Sequence, residues 1–249
     1  MSAPPPPGAL VSAARWAASL AISAVGLGAA SALRRLAPRS SLRLVHATCA
    51  ACHRVFGLEL TRDDRGRGPH AGYGRPPYIF VYLNQTSLIE IFVVPWMTPR
   101  PYKIVVNLEF LLLPIFGWSS LGLGCRVVVR QWPAQGKRAL RRAIDDLRAG
   151  ESYVISIEGR RSPDGALQPY KKGAAVMAIE SGATIVPIVL RGTRERLPFG
   201  AWRVRPGPVE VTYLEAIETR GLTYDDRDAL TERLRALARA ELGGADTTG

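Results

Sequence analysis

Residues 78–90 run from an apolar stretch, Tyr-Ile-Phe-Val, into Tyr82-Leu83-Asn84-Gln85-Thr86-Ser87-Leu88-Ile89-Glu90. A strand that breaks into Asn-Gln-Thr-Ser and restarts as apolar sequence can present a site, because a rigid strand end fixes the turn that follows it. Gln85 is the most prominent polar side chain of the turn, and an amide neither takes nor gives a proton near neutral pH. Glu90 can do both. A second constellation lies at Ser156-Ile157-Glu158-Gly159-Arg160-Arg161-Ser162. A cationic glycine turn at a strand end suits an anionic group, since the backbone can approach it and Arg161 can hold it with two parallel hydrogen bonds. Lys171, Lys172 and Gly173 then open a helical stretch, adding side-chain charge to the positive end of a helix dipole. Arg130 closes the apolar segment 107–130 and could contact phosphate or pair with Glu158.

Cys49-Ala50-Ala51-Cys52-His53 matches the spacing of covalent haem attachment. Such attachment needs export and a second axial ligand, whereas this motif falls in helical sequence beside a cluster of arginines. A zinc site would need a second ligand pair, and the other His and Cys residues are His46, His70 and Cys125. No metal and no resident cofactor are expected.

The elements that must hold these residues follow from periodicity. Strands are expected at 78–83, 103–106, 126–130, 153–157, 185–190 and 209–213, each rich in β-branched or aromatic residues. Pro187 inside the fifth of these suggests an edge or a bend. Leu140, Ile144 and Leu147 sit one helical face apart in 136–149, which Gly150 can terminate. A further helix covers 171–182, ending at Gly182. Thr223 and Asp226 have capping-box spacing ahead of Leu230, Leu234 and Leu237. Strand–helix alternation gives an α/β class with a central mixed or mostly parallel sheet flanked by helices. Residues 41–60 read as a helix ending near Gly57, and 61–77 as a Gly/Pro/Arg-rich loop.

In their order along the chain, these blocks resemble the glycerolipid acyltransferase family of the lysophosphatidic-acid type. Asn84-x-x-Ser87 fits the frame of that family's Asn-His-x-Ser-x-x-Asp block. Gly124-x-x-Val127-Val128-x-Arg130 is similar to its second block, and Glu158-Gly159-Arg160-Arg161-Ser162 to its Glu-Gly-Thr-Arg-Ser block. Val186-Pro187-Ile188 is similar to the fourth, while Pro114-Ile115-Phe116-Gly117 and Tyr170-Lys171-Lys172-Gly173 look like connecting sequences. The resemblance covers about residues 78–190. It implies a glycerol-phosphate acyltransferase-like fold that moves an acyl chain from a CoA or acyl-carrier-protein thioester to a lysophospholipid or glycerol-phosphate hydroxyl. It also implies a substrate-binding set of Asn84, Ser87, Arg130, Glu158, Gly159, Arg160, Arg161, Ser162, Lys171 and Lys172.

Gln85 stands where the family has its basic histidine and Glu90 where it has the orienting aspartate, so these two are the candidate catalytic residues. The hydroxyl must lose its proton as it attacks, and imidazole titrates in the right range. Three readings fit. The domain binds its substrates with little or no turnover; or Glu90, one methylene longer than aspartate, is the base with Gln85 as a positioning donor; or His46, His53 or His70 enters the site, for which spacing gives no support. In the third block, Arg160 replaces a threonine and adds charge beside Arg161.

The chain has 249 residues, 47% of them apolar, and a net charge of +12. That is enough to bury a core, and the charge favours anionic partners. The arginines are dispersed and no recognition motif appears, which argues against nucleic acid. Residues 16–33 carry no charge, and Arg34, Arg35, Arg39 and Arg43 follow at once. Eighteen helical residues reach about 27 Å, the lower limit for a bilayer core. Charge after the apolar run, rather than before it, predicts a retained membrane helix, spanning or re-entrant, with the main domain on the cytoplasmic side. The expected organisation is an N-terminal membrane-anchoring segment over 1–40, the helix and connector over 41–77, the acyltransferase-like α/β domain over 78–244 and a tail over 245–249. The segment 108–123 is apolar enough for core, lipid contact or an acyl-chain groove.

Overall fold

A computed structural model of the chain describes residues 4–64, 76–113, 115–128 and 133–243. Arg130, His70, Pro114, most of the 61–77 connector and the 245–249 tail lie outside the described residues.

The elements, in order, are α1 (Ala9–Leu33), α2 (Pro38–Phe56), β1 (Leu58–Asp63), β2 (Tyr78–Tyr82), α3 (Glu90–Met97), β3 (Lys103–Asn107), a 3-10 turn (Leu108–Leu112), α4 (Phe116–Gly122), β4 (Arg126–Val128), α5 (Pro133–Arg148), β5 (Tyr153–Ser156), α6 (Gly173–Ser181), β6 (Thr184–Arg191), α7 (Thr193–Arg196), β7 (Gly207–Tyr213) and α8 (Arg227–Leu242). The strands form one seven-stranded sheet in the order β1-β7-β6-β2-β5-β3-β4. All neighbours pair in parallel except β6 and β7. The sheet is therefore mixed and mostly parallel, and β2, β3, β5 and β6 deliver their carboxyl ends to one edge.

Alternation along β2 explains the layers. Tyr78, Phe80 and Tyr82 face a core shared with α1, α2 and α3, while Ile79, Val81 and Leu83 face one shared with α5, α6 and α8. Both faces are buried, as the unbroken apolar run requires. Gly57, Gly150 and Gly182 end their helices or follow them in the left-handed region, and Thr223 and Asp226 form a reciprocal capping box before α8.

Two expectations change. Residues 58–63 are not helix end and loop: Leu58 to Asp63 pair in register with Gly207 to Thr212 as an edge strand. Pro187 is not on an edge either, because β6 lies between β2 and β7. It sits where β7 leaves the ladder, with Ile188 paired to Tyr213 and pairing resumed only at the isolated Ile185–Ile217 bridge, so its missing N–H removes no ladder bond.

Helix α1 is the one described helix long and apolar enough to cross a membrane. Its buried stripe is small and polar (Ser12, Ser19, Ser23, with Leu27 and Ala30), and its exposed face carries Leu10, Val11, Val25 and Leu33. The buried stripe packs on α2. Cys52 lies against Ser23 and donates to the Ser19 carbonyl, and Gly26 admits Thr48 so closely that any side chain there would collide with it. Both ends of α1 are tied to the rest of the chain. Trp16 Nε1 donates to the Trp202 carbonyl at one end; Ser31 Oγ donates to the Ser119 carbonyl and Arg34 to the Leu123 carbonyl at the other. Cys49, Cys52 and His53 are buried in this packing, and His53 bonds the Phe92 carbonyl.

Candidate active site

The site forms where β2, β5 and β6 end side by side, the usual location for ligands in a parallel sheet. Asn84 fixes the exit of β2: its amide donates to the Leu190 carbonyl (2.6 Å) and its oxygen accepts from the Leu190 N–H (2.9 Å). Ser87 donates to the Leu197 carbonyl at 2.7 Å and accepts from the Ile89 N–H, which sets the start of α3. Both side chains are thus occupied by the chain's own backbone.

The loop after β5 is stitched to the loop after β2. Glu158 accepts the Gln85 N–H on one oxygen (2.6 Å) and the Gln168 N–H on the other (2.7 Å). The Ser162 N–H donates to the Gln85 carbonyl (2.7 Å), which closes the loop against the β2 exit. Gly159, in the left-handed region, turns this loop. The Ser162 hydroxyl caps the turn that follows, bonding Asp164 and the Gly165 N–H. Although both of its oxygens are bonded, the Glu158 carboxyl is pushed up to about 7, first by desolvation.

Glu90 opens α3 and is 3% exposed. Its Oε1 accepts four hydrogen bonds, from the Thr86 and Ser87 N–H groups (3.0 Å each), from the Thr193 hydroxyl (2.9 Å) and from the Thr86 hydroxyl (3.3 Å). Its Oε2 is buried with no partner. Burial raises the carboxyl to about 7, and the bonds to Oε1 pull in the opposite direction without cancelling it. Gln85 lies on the neighbouring loop, its Oε1 accepting from Ser156 Oγ at 2.9 Å.

Gln85, Ser87, Glu90, Ser156, Glu158, Gly159, Arg160, Arg161 and Lys171 line one cavity of about 1390 Å³. Ligand pockets commonly enclose about 300–1,000 Å³, so this one has room beyond a small head group. Its exposed part is cationic: Arg160 and Lys171 are exposed, and the Arg161 guanidinium lies 5.1 Å from the Phe199 ring centre. Among the described residues, none of these three cations forms a salt bridge with a carboxylate. Its inner walls are apolar, with Leu27, Val45, Phe92, Ile104, Phe110, Leu113 and Phe116 among them. The segment 108–123 divides accordingly, since Leu112, Trp118 and Leu121 face outward instead.

Lys172 does not join the cavity lining. It pairs with Asp228 of α8 at 2.8 Å. Arg130 is outside the described residues. Of the histidines proposed as substitutes, His46 bonds the Thr98 carbonyl and His53 the Phe92 carbonyl, and neither lines the cavity; His70 is outside the described residues. Two site residues carried no sequence signal of their own. Thr193 follows β6 at Gly192, far from Glu90 in sequence, and Ser156 is the last residue of an otherwise apolar strand.

A family model described as Acyltransferase matches residues 68–191. A 1-acyl-sn-glycerol-3-phosphate acyltransferase of Limnanthes alba is 34% identical over 150 residues, 59% of this chain and 53% of the relative. One of Cocos nucifera is 30% identical over 161 residues, 63% of this chain and 52% of the relative. The human 1-acyl-sn-glycerol-3-phosphate acyltransferase alpha is 26% identical over 170 residues, 68% and 60% of the two chains. The chain spans about half the length of the first two of these curated relatives. The crystal structure of the 1-acyl-sn-glycerophosphate (LPA) acyltransferase PlsC from Thermotoga maritima superposes with a TM-score of 0.74, covering 96% of this chain and 97% of that one at 20% identity. That likeness establishes the fold. Residues 68–191 are an acyltransferase-family segment.

Proposed function

We propose that this chain transfers a fatty acyl group from an acyl thioester, of CoA or acyl-carrier protein, to a hydroxyl of a lysophospholipid or glycerol-phosphate acceptor, with Glu90 as the general base. The observations that carry this reading are the buried Oε2 of Glu90, which has no partner, and the place of Glu90 in the lining of a cavity that combines exposed cations with deep apolar walls. A buried oxygen without a donor favours a ligand that supplies one. The acceptor hydroxyl is such a donor, and a carboxyl held near 7 can both take its proton and release it again.

In this reading Arg161 and Lys171 hold the acceptor phosphate, and Arg160 adds charge beside them. The apolar walls take the acyl chain, and positioning alone supplies much of the rate. Asn84, Ser87, Glu158, Gly159 and Ser162 act through the backbone geometry they enforce. Thr86, Ser87 and Thr193 hold Glu90 through Oε1, which leaves Oε2 without a partner until the acceptor hydroxyl reaches it. No cofactor beyond the acyl donor enters the scheme.

For residues 1–40 we propose an anchor that lies on the membrane with its exposed apolar face in one leaflet. Attachment of α1 to the domain at both ends supports this over a crossing helix, which would carry one end about 30 Å away. Leu33 and Leu36 near the end of α1 and Trp118 and Leu121 of α4 extend the apolar face, and the arginines that follow α1 suit anionic lipid on the cytoplasmic side. The acyltransferase domain proper is then 78–244, with β1 from the preceding segment added to its sheet edge.

A second reading has its own observation. Gln85 cannot serve as a base, which favours a lipid-binding protein without turnover. Transfer of labelled acyl chains from acyl-CoA to lysophosphatidic acid, by the full chain in vesicles, separates the two. Acylated product, with a KM for acceptor at least about tenfold higher in Arg161→Ala, is expected from the loss of a charge-assisted pair. Absence of product with tight acceptor binding would establish the second reading.

A further inference from the structure

We propose that Ser156 sets the orientation of the Gln85 carboxamide, and that Gln85 thereby serves as hydrogen-bond donor to the thioester oxygen during acyl transfer. The inference rests on the acyl-transfer reading above and assigns a role to the residue that replaces the histidine.

The geometry leaves Gln85 little choice. Its backbone is pinned on both sides, the N–H by Glu158 and the carbonyl by the Ser162 N–H. Its side-chain oxygen is taken by Ser156 Oγ at 2.9 Å. The Gly159 N–H donates to that same Oγ at 3.2 Å and Tyr82 also lies within hydrogen-bonding reach of it, while the Ser156 hydroxyl donates to Gln85 Oε1. A carboxamide whose oxygen is held as acceptor must present its nitrogen on the other side. Among the described residues Nε2 makes no hydrogen bond, while Gln85 lines the cavity that also receives Glu90. The parallel register of β2 and β5 places Tyr82 opposite Ser156, so the serine projects from the carboxyl edge of the sheet at the level of the turn it orients.

The chemistry divides between the two residues. As the acceptor oxygen bonds to the thioester carbon, its proton passes to Glu90 Oε2 and the carbonyl electron pair moves onto the carbonyl oxygen. Nε2–H of Gln85 bonds that oxygen as its charge grows. Collapse re-forms the carbonyl and breaks the carbon–sulfur bond, and the departing thiolate takes the proton from Glu90 and leaves as thiol. Ester and thiol are the only products, and Glu90 ends ionised as it began. A preorganised donor of this kind contributes about 10²–10³ in kcat. Gln85 is then a catalytic residue, and Ser156 a positioning residue.

The test uses the full chain in lipid nanodiscs, isotope-labelled at glutamine side-chain nitrogens and followed by NMR; the Gln85 signal is the one missing from Gln85→Glu. A ketone analogue of a long-chain acyl-CoA, with CH2 in place of the thioester sulfur, should move the Gln85 amide proton downfield. A thioether analogue, which lacks the oxygen, should not. Ser156→Ala should abolish the ketone response and lower kcat about tenfold with KM nearly unchanged, the worth of one hydrogen bond, and Ser156→Thr should restore both. A ketone that binds, by calorimetry, without moving the Gln85 signal would overturn the inference and leave the acyl-transfer reading standing. A ketone that fails to bind both as the CoA analogue and as its acyl-carrier-protein conjugate would overturn both.

Discussion

Glu90 carries two oxygens in opposite circumstances, one accepting four hydrogen bonds and the other none. Desolvation of the buried carboxyl outweighs the four bonds and holds the group near 7. Activity that depends on its ionised form should rise through about pH 7 and level off above it, seen in the pH dependence of kcat/KM; Glu158, also near 7, will broaden the transition. Stability should run the other way. A carboxyl whose folded value is raised stays neutral in the folded state while the unfolded chain ionises, so stability falls between about pH 4.5 and pH 7, by on the order of 3 kcal/mol for this group. Glu90→Gln removes that loss. Its melting temperature should be close to that of the wild type near pH 4.5 and clearly higher at about pH 8. A variant no more stable at the higher pH would mean that Glu90 is ionised and well solvated in the folded protein.

Among the elements, the exit of β2 and the helix pair α1–α2 hold the site in place. Asn84→Ala leaves the N–H and carbonyl of Leu190 without their partner, and should cost about 2–5 kcal/mol in chemical denaturation. Gly26→Val would set a side chain against Thr48 and should cost about 1–3 kcal/mol through the α1–α2 contact. The sequence was most legible where one periodicity ruled. β2, β5, β6 and the helices ended by Gly57, Gly150 and Gly182 follow from apolar runs and left-handed glycines. β1 was not legible, because Leu58-Glu59-Leu60-Thr61-Arg62-Asp63 is a half-polar edge whose strand character depends on β7, distant in sequence. The edge alternative for Pro187 failed for a related reason: whether a proline breaks a ladder depends on where the neighbouring strand leaves it. Glu90, Glu158 and Arg161 could be picked out by residue type and spacing. Thr193 and Ser156 could not, since a hydroxyl becomes part of a site only through the fold that brings it there.

Taken together, these elements make a basic, mostly parallel α/β domain with one apolar helix laid along it. If the outer face of α1 rests in lipid, charge on that face should release the protein without unfolding it. Val25→Glu combined with Leu36→Glu alters two positions that are 76% and 87% exposed. Co-sedimentation with anionic vesicles should fall several-fold, while stability in detergent changes by no more than about 0.5 kcal/mol per site. Unchanged sedimentation would remove this face as the contact. Function then turns on whether Glu90 supplies a working base beside Gln85, whose amide cannot act as one. The initial rate of acyl transfer to lysophosphatidic acid decides this, taken for wild type, Glu90→Gln and Gln85→His side by side at about pH 8, above the Glu90 transition. Wild type should turn over, and Glu90→Gln should be slower by about 10²–10⁴. A silent wild type with an active Gln85→His would show the opposite, a site that has lost its base and kept only its binding.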